Sequence, residues 1–171
     1  SWLAPILCFT TEEVWQSRHG ETRGSIHEQR FLDIPAHYKN DELGAKWDII
    51  RKIRRVVTGA LEIERQEKRI GSSLEAAPVV FIANTDWFDK TQDLNMADIC
   101  ITSQIDIRNE VPPAEAFTLD DVKEVGVIPA LAIGQKCRRS WKILPDVGSV
   151  EAYPDLSPRD AQAVSAYDSQ I

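Results

Sequence analysis

The sequence has no long apolar run. No stretch of its 171 residues approaches the ~18 to 20 apolar positions that a membrane-spanning helix needs. The N-terminus also lacks the charged and then apolar layout of a secretion signal. We therefore expect a cytoplasmic protein with no membrane partner. Hydrophobic residues make up 43% of the chain, enough to fill the core of one medium domain or two small modules.

Cysteine, histidine and glycine are also scarce. Three cysteines, Cys8, Cys100 and Cys137, stand far apart, and this odd number suits free thiols in a reducing compartment better than a disulfide framework. The three histidines have no nucleophile or ligand spacing around them. The eight glycines are scattered, so there is no glycine-rich phosphate loop. These absences argue against catalysis by this chain alone.

Charge is distributed unevenly along the chain. The formal net charge of −7 argues against a surface that binds nucleic acid everywhere. Residues 84–125 carry ten acids and only three bases. By contrast, residues 46–70 carry eight bases against four acids, and residues 136–142 carry four bases and no acid. Two basic islands in an acidic chain predict a polyanionic partner that approaches from particular directions.

The segment from Asp41 to Ile70 has no proline and shows a helical repeat of apolar residues. Steps of 100° per residue bring eight apolar side chains within roughly 160°, and we expect this arc to face a core. The arc contains Ile49, Ile50, Ile53, Val56, Val57, Ala60, Leu61 and Ile63. Gly71 is expected to end the helix.

Three arginines of this helix, Arg51, Arg54 and Arg55, admit two interpretations. Arg51 and Arg55 fall opposite the apolar arc, and Arg54 falls at its border. Ion pairs with acids three or four residues away would make them an ordinary solvated face, which is the commoner situation. Alternatively, they contact the phosphates of a nucleic acid.

A mixed pattern occupies the middle of the chain. Apolar, β-branched residues from Val79 to Ala83 predict a strand. A helix is expected to begin at a Thr85 cap and to run through Leu94. Alternation over residues 99–107 predicts a second, half-buried strand, and residues 125–135 predict a third extended stretch. The middle is therefore expected to be a small α+β module.

The spacing of a zinc ribbon recurs near the C-terminus with a single cysteine. Such a site uses two C-x2-C pairs about 15 to 20 residues apart, because each tight turn directs two thiolates at one ion. Cys137 and Ser140 have the first spacing, Ser157 and Asp160 have the second, and sixteen residues separate the pairs. One thiol, two hydroxyls and one carboxylate make a poor zinc site, so we expect no bound metal. Chance alone also produces such spacings, so the pattern by itself does not establish a zinc-ribbon fold.

Three successive stretches resemble the C-terminal part of the isoleucyl-tRNA synthetase family, which belongs to the class I aminoacyl-tRNA synthetases. They are LAPILCFTTEEVW (3–15), RRVVTGALEIERQEKRIGSSLEA (54–76) and GQKCRRSWKILPDVG (134–148), the last followed by LSPRD (156–160). Valyl- and leucyl-tRNA synthetases share the first stretch, and the equivalent region of those enzymes is an alternative. IGSSLEA followed by a terminal knuckle is more specific to the isoleucine enzyme.

The resemblance implies an α+β fold in three parts. A helical half-bundle of the anticodon-binding type is expected at residues 1–75, a small α+β module at 76–135, and a zinc-ribbon-like terminal module at 136–171. Zinc-binding members have cysteines where this chain has Ser140, Ser157 and Asp160. The metal is therefore not carried over, and hydrogen bonds from these three residues are expected to replace the ion.

The resemblance also implies a role in protein biosynthesis, as part of an ATP-dependent isoleucine ligase. The ATP-binding signatures of the family, which resemble HIGH and KMSKS, are absent from the chain. Adenylation, aminoacyl transfer and editing, with their ATP and magnesium, are expected in N-terminal domains of the same polypeptide. The abrupt apolar start at Ser1 fits a segment of a longer chain. No cofactor and no DNA partner are expected for this region.

The expected partner is the anticodon arm of isoleucine tRNA. Guanidinium planes and aromatic faces bind unstacked bases, so Arg138, Arg139 and Trp141 are the expected loop-binding set. A core position for Trp141 is an equal alternative. The stem phosphates are assigned to Arg51, Arg54 and Arg55. The rival function is a structural module that docks on an acidic protein surface or a neighbouring domain without RNA.

Overall fold

The computed structural model describes residues 1–169, and the chain forms two compact units, one at residues 1–41 and the other from residue 42 onward. The first unit contains helix α1 (Cys8–His19) and three short 3-10 helices at Glu21–Arg23, Ile26–Glu28 and Ala36–Tyr38. The boundaries expected near residues 75 and 135 remain predictions.

Polar contacts hold the first unit together. The carboxylate of Glu12 on α1 accepts hydrogen bonds from the Ser25 hydroxyl at 2.7 Å and from the Ile26 amide at 2.9 Å. The indole nitrogen of Trp15 donates to the Gly24 carbonyl at 3.0 Å. These bonds fasten α1 to the turns that follow it.

The second unit combines helices with two small sheets. Its first part contains α2 (Asp41–Gln66), a 3-10 turn (Ser73–Glu75), β1 (Val79–Ile82), α3 (Thr85–Asp89), α4 (Met96–Cys100) and β2 (Asp106–Arg108). Its second part contains β3 (Phe117–Leu119), β4 (Val122–Ile128), β5 (Gln135–Lys136), β6 (Ile143–Leu144) and α5 (Pro158–Asp168).

The larger sheet is mixed. Its strand order is β2-β1-β4-β3, with β1 parallel to β2 and antiparallel to β4, and with β3 antiparallel to β4. The smaller sheet is the antiparallel pair of β5 and β6, in which Gln135 lies opposite Leu144. The α+β class expected from the sequence is therefore confirmed.

One face of α2 covers the larger sheet. Six residues of the expected apolar arc are buried in a single core with Val80, Ile82, Val125 and Val127 of the sheet. The other two differ, since Ile49 is partly buried against this core and Ile63 is 39% exposed. The approach is tight at Gly59, where an added Cβ would lie 3.0 Å from the ring of Phe117. The helical repeat thus correctly predicted the core side of α2.

The second expected strand is wrong over its first residues. Residues 96–100 form α4, because the side chain of Asn95 caps the helix by accepting from the Asp98 amide at 3.2 Å. The chain then turns through Ile101 in the left-handed region, with φ +57°, and only Asp106–Arg108 pairs with the sheet. Alternation of isoleucines alone did not distinguish a helix end from a strand.

Other element boundaries also differ from expectation. The α2 helix ends at Gln66 and is followed by Lys68 with φ +59°, so Gly71 is not its stop. Asn84, rather than Thr85, caps α3, which ends at Asp89 and does not reach Leu94. The third extended stretch, expected at residues 125–135, is a strand only as far as Ile128, where β4 ends. Between β4 and β5, a single isolated bridge joins Leu131 to Ala76.

No helix within residues 1–169 is both long enough and apolar enough to cross a bilayer.

Candidate nucleic-acid interface

The three expected arginines of α2 have different partners. Arg51 forms an ion pair with Asp48, three residues earlier, and Arg55 forms one with Asp121. The Arg55 guanidinium holds the pKa of Asp121 below its usual range. Both pairs are exposed to solvent, where such pairs contribute little and exchange readily for other anions. Only the Arg51 pair has the spacing of the solvated-face interpretation, since Asp121 lies 66 positions from Arg55.

Arg54 is held differently from its neighbours. Its Nε donates to the carbonyl of Ile99 on α4 at 2.8 Å. Among residues 1–169, no carboxylate lies within ion-pair distance of it. Its charge is therefore not neutralised by a neighbouring acid in this part of the structure.

Trp141 lies on the surface and not in the core. Its side chain is 62% exposed, and its backbone adopts the left-handed region with φ +64°. The Trp141 amide donates to the Cys137 carbonyl at 2.9 Å, which closes the turn. The ammonium group of Lys136 lies 5.2 Å from the ring centroid, within the range of a cation–π contact. The core alternative for this tryptophan is thus excluded, and an aromatic face beside a positive charge is available to a ligand.

The two arginines of the same turn are also exposed. Arg138 has a side chain that is 83% exposed, and its Nη1 lies 3.9 Å from Oδ2 of Asp155. Arg139 has its Nη1 3.8 Å from Oδ1 of Asp160, at the long limit of an ion pair. The turn therefore presents two guanidinium groups and one indole ring on the surface.

The four knuckle-like positions converge beneath this turn. The Cys137 thiol donates to Oδ2 of Asp160 at 3.0 Å, and the Ser157 hydroxyl donates to the same oxygen at 3.1 Å. The Ser157 amide lies 3.5 Å from the sulfur of Cys137. Cys137, Ser157 and Asp160 are all buried. The two turns are thus joined by a polar cluster, which we call the knuckle cluster, formed by Cys137, Ser140, Ser157 and Asp160.

The donor set of the knuckle cluster does not fit zinc. It contains one thiol and one carboxylate, and serine hydroxyls do not ionise near neutral pH to complete a tetrahedral site. The Ser140 hydroxyl is buried and makes no hydrogen bond within the described residues. Across residues 1–169, no three histidine, cysteine or acidic side chains are grouped as a metal site requires.

Asp160 is held in its charged form. Burial alone would raise its pKa, but the Cys137 thiol, the Ser157 hydroxyl and the Arg139 guanidinium outweigh that cost, and the pKa lies below its ordinary value. Ser157 also caps α5, since its hydroxyl accepts from the Asp160 amide at 3.3 Å. Ser157 and Asp160 therefore both form the start of α5 and belong to the knuckle cluster.

The two basic islands meet at α4. Lys142 forms an ion pair with Asp98, and the adjacent Ile99 carbonyl accepts from Arg54. The Ile143 amide also donates to the Ser103 hydroxyl at 2.6 Å. The sequence analysis counted Lys136 and Lys142 in the second basic island but did not name them as site residues. In the structure, Lys136 lies over the Trp141 ring and Lys142 pairs with Asp98 of α4.

Comparison with known proteins supports the resemblance. Residues 1–81 match the family described as the anticodon-binding domain of tRNA ligase. The chain is 53% identical over 163 residues to an isoleucine–tRNA ligase of Bartonella henselae and 56% identical over 164 residues to that of Agrobacterium fabrum. The chain matches a segment of isoleucine–tRNA ligase. The similarity to the isoleucyl-tRNA synthetase family, which was stated from the sequence, is confirmed.

The match to isoleucine–tRNA ligase covers nearly all of this chain and little of its relatives. It spans 95% of the chain for the Bartonella henselae protein and 96% for the Agrobacterium fabrum protein, and 17% of each relative. A Bradyrhizobium diazoefficiens isoleucine–tRNA ligase is 48% identical over 163 residues. These relatives favour the isoleucine enzyme over the valyl or leucyl alternative.

Proposed function

We propose that this chain is the tRNA-binding region of an isoleucine–tRNA ligase and that it holds the anticodon arm of isoleucine tRNA. The match of residues 1–81 to an anticodon-binding domain carries this proposal. The parent polypeptide would perform the ATP-dependent ligation in the cytoplasm with catalytic and editing domains outside this chain. The chain itself contributes recognition, since contacts with the anticodon position the acceptor end and reject other tRNAs.

The turn with Arg138, Arg139 and Trp141 is assigned to the unpaired bases of the loop. An exposed indole provides a stacking surface worth ~1 to 3 kcal/mol per base. The guanidinium groups of Arg138 and Arg139 supply donors for phosphates and base edges. The exposure of Trp141 and its neighbouring lysine supports this assignment.

Arg51, Arg54 and Arg55 are assigned to the phosphates of the stem. Phosphate oxygens can displace Asp48 and Asp121 from their solvent-exposed pairs with Arg51 and Arg55. Such contacts release counterions, so binding is expected to weaken steeply as salt increases.

We further propose that the terminal module, residues 136–171, has a zinc-ribbon-like fold that is stable without metal. The hairpin of β5 and β6 and the buried hydrogen bonds among Cys137, Ser157 and Asp160 support this proposal. The polar cluster takes the place of the ion as the link between the two turns. Residues 1–75 and 76–135 would be the half-bundle and the middle module.

Fluorescence anisotropy with a labelled isoleucine tRNA transcript tests the proposed function. The full chain is expected to bind this transcript more tightly than one with a changed anticodon, and Trp141→Ala and Arg139→Ala are expected to reduce that preference. Arg108→Ala is a matched control, because Arg108 is about as exposed as Arg139 and pairs with Asp106 on β2. Equal binding of both transcripts, or none, would favour the rival structural module.

A further inference from the structure

A cavity of about 240 Å³ lies between α2 and the end of α4. Its apolar lining includes Leu61, Ile70 and Ile101, and its polar lining includes Arg54 and Thr58. The Cys100 thiol also lines it, and burial raises the pKa of that thiol to about 11, so the sulfur is neutral at physiological pH. The cavity therefore combines an apolar wall with a cationic rim.

Arg54 gives this cavity its net charge. Arg65 also lines the cavity, but two hydrogen bonds of 2.8 and 2.9 Å join it to Glu62, another lining residue. These two opposite charges offset each other. Arg54 has no such acid within the described residues, and its Nε bond to the Ile99 carbonyl orients the guanidinium while leaving its outer nitrogens available. An anion is the complementary ligand for such a group.

Ile101, which lines the cavity, has an unusual backbone conformation. A β-branched residue in the left-handed region is a genuine outlier, and the conformation costs about 1 to 2 kcal/mol relative to the right-handed one. Here Ile101 has φ +57° and ψ +49°, and its side chain is 50% exposed. Strain of this kind is concentrated at binding sites. The left-handed conformation ends α4, since Ile101 is its C-cap residue, but a glycine or asparagine would serve that purpose with less strain and without exposing an apolar side chain.

We propose that this cavity binds one unpaired nucleotide of the tRNA that adjoins the stem, with Arg54 on the phosphate that links the nucleotide to the stem and Ile101 against the face of its base. The inference rests on the proposed function and adds a second recognition site, distinct from the turn of Trp141. The volume is below the ~300 to 1,000 Å³ of ordinary small-molecule sites, which suits a single base. Apolar side chains commonly hold the faces of bases that have left a stack.

Two variants separate nucleotide binding from folding. Arg54→Ala removes a charged donor and is expected to weaken binding of labelled isoleucine tRNA about tenfold. Ile101→Gly removes the apolar contact but relieves the left-handed strain, because glycine adopts positive φ freely. This variant is therefore expected to bind several-fold more weakly while its unfolding temperature is unchanged or higher. The Arg108→Ala variant serves again as the control for loss of one positive charge.

The outcomes distinguish this inference from the proposed function. If the unmodified chain binds the tRNA and both variants bind as tightly as it does, the cavity proposal is overturned while the proposed function stands. If the unmodified chain does not bind the tRNA at all, both fail. Weaker binding by both variants, with normal binding by Arg108→Ala and an intact unfolding transition, supports the nucleotide site.

Discussion

The thiol of Cys137 donates to the carboxylate of Asp160, and the sulfur and Oδ2 lie 3.0 Å apart although 23 positions separate the two residues in the chain. This contact joins the turn that carries Trp141 to the first turn of α5. The two residues stand where zinc-binding relatives are expected to place thiolates. A direct hydrogen bond thus connects two turns that a metal ion would otherwise link.

Removal of the shared acceptor should destabilise the second unit. In Asp160→Ala, the buried Cys137 thiol and Ser157 hydroxyl lose their partner, and an unsatisfied buried donor costs about 1 to 3 kcal/mol. We expect a loss of that size in the free energy of unfolding, measured by urea denaturation. Asp155→Ala is the matched control, because the Asp155 side chain is 67% exposed. Equal losses in both variants would contradict a structural role for the knuckle cluster.

The same carboxylate predicts an acid limit to stability. Because the pKa of Asp160 is lower in the folded chain than in the unfolded one, its contribution is fully present above the unfolded pKa of about 3.9. It is lost as pH falls through the folded pKa. The stability gap between the unmodified chain and Asp160→Asn should therefore be constant near neutral pH and should narrow below about pH 4. Urea titrations at several pH values measure this gap.

Chelation should leave the terminal module unchanged. If the knuckle cluster acts without metal, excess chelator will not lower the unfolding temperature of the native chain, and elemental analysis will find no stoichiometric zinc. The triple variant Ser140→Cys, Ser157→Cys and Asp160→Cys provides the positive control. With four thiols at the required spacing, it should bind one zinc ion and unfold at a lower temperature once chelator is added. A chelator-sensitive native chain would refute the metal-free module.

Two isoleucines of α2 should respond differently to truncation. Ile53 is fully buried, so Ile53→Ala should lower the free energy of unfolding by about 2 to 5 kcal/mol through lost burial and a residual cavity. Ile63 belongs to the same predicted arc but is 39% exposed, and Ile63→Ala should have a much smaller effect. Thermal and urea unfolding of the two variants measure the difference. Similar losses would indicate that the arc is covered along its whole length.

Local sequence patterns were sufficient to predict helix α2 and strand β1. The 3.6-residue repeat predicted α2 and its buried face, because one continuous apolar arc can be satisfied only by packing against a core. The β-branched residues after Pro78 predicted β1 at nearly its observed bounds. Alternation over residues 99–107 misled, because the Asn95 cap and the left-handed Ile101 act locally and have no signature in hydrophobic periodicity.

The candidate site was predicted in parts. The two basic islands follow from the charge pattern, and the spacing of Cys137, Ser140, Ser157 and Asp160 marked two turns that belong together. Sequence did not reveal that Lys142 and Arg54 both contact α4, or that a cavity lies beside Arg54. Those relationships join residues more than 40 positions apart.

By itself, the sequence determined the kind of chain this is: an acidic α+β segment with two basic islands, one amphipathic helix and a knuckle spacing without its thiols. Composition and periodicity are properties of neighbouring residues, so they can be read directly. Only the tertiary structure decided that Trp141 is exposed, that Arg54 lacks an acidic partner within residues 1–169, and that Asp160 accepts from both turns. Exposure and pairing depend on which distant residues the fold brings within a few ångströms, and no local pattern records that distance.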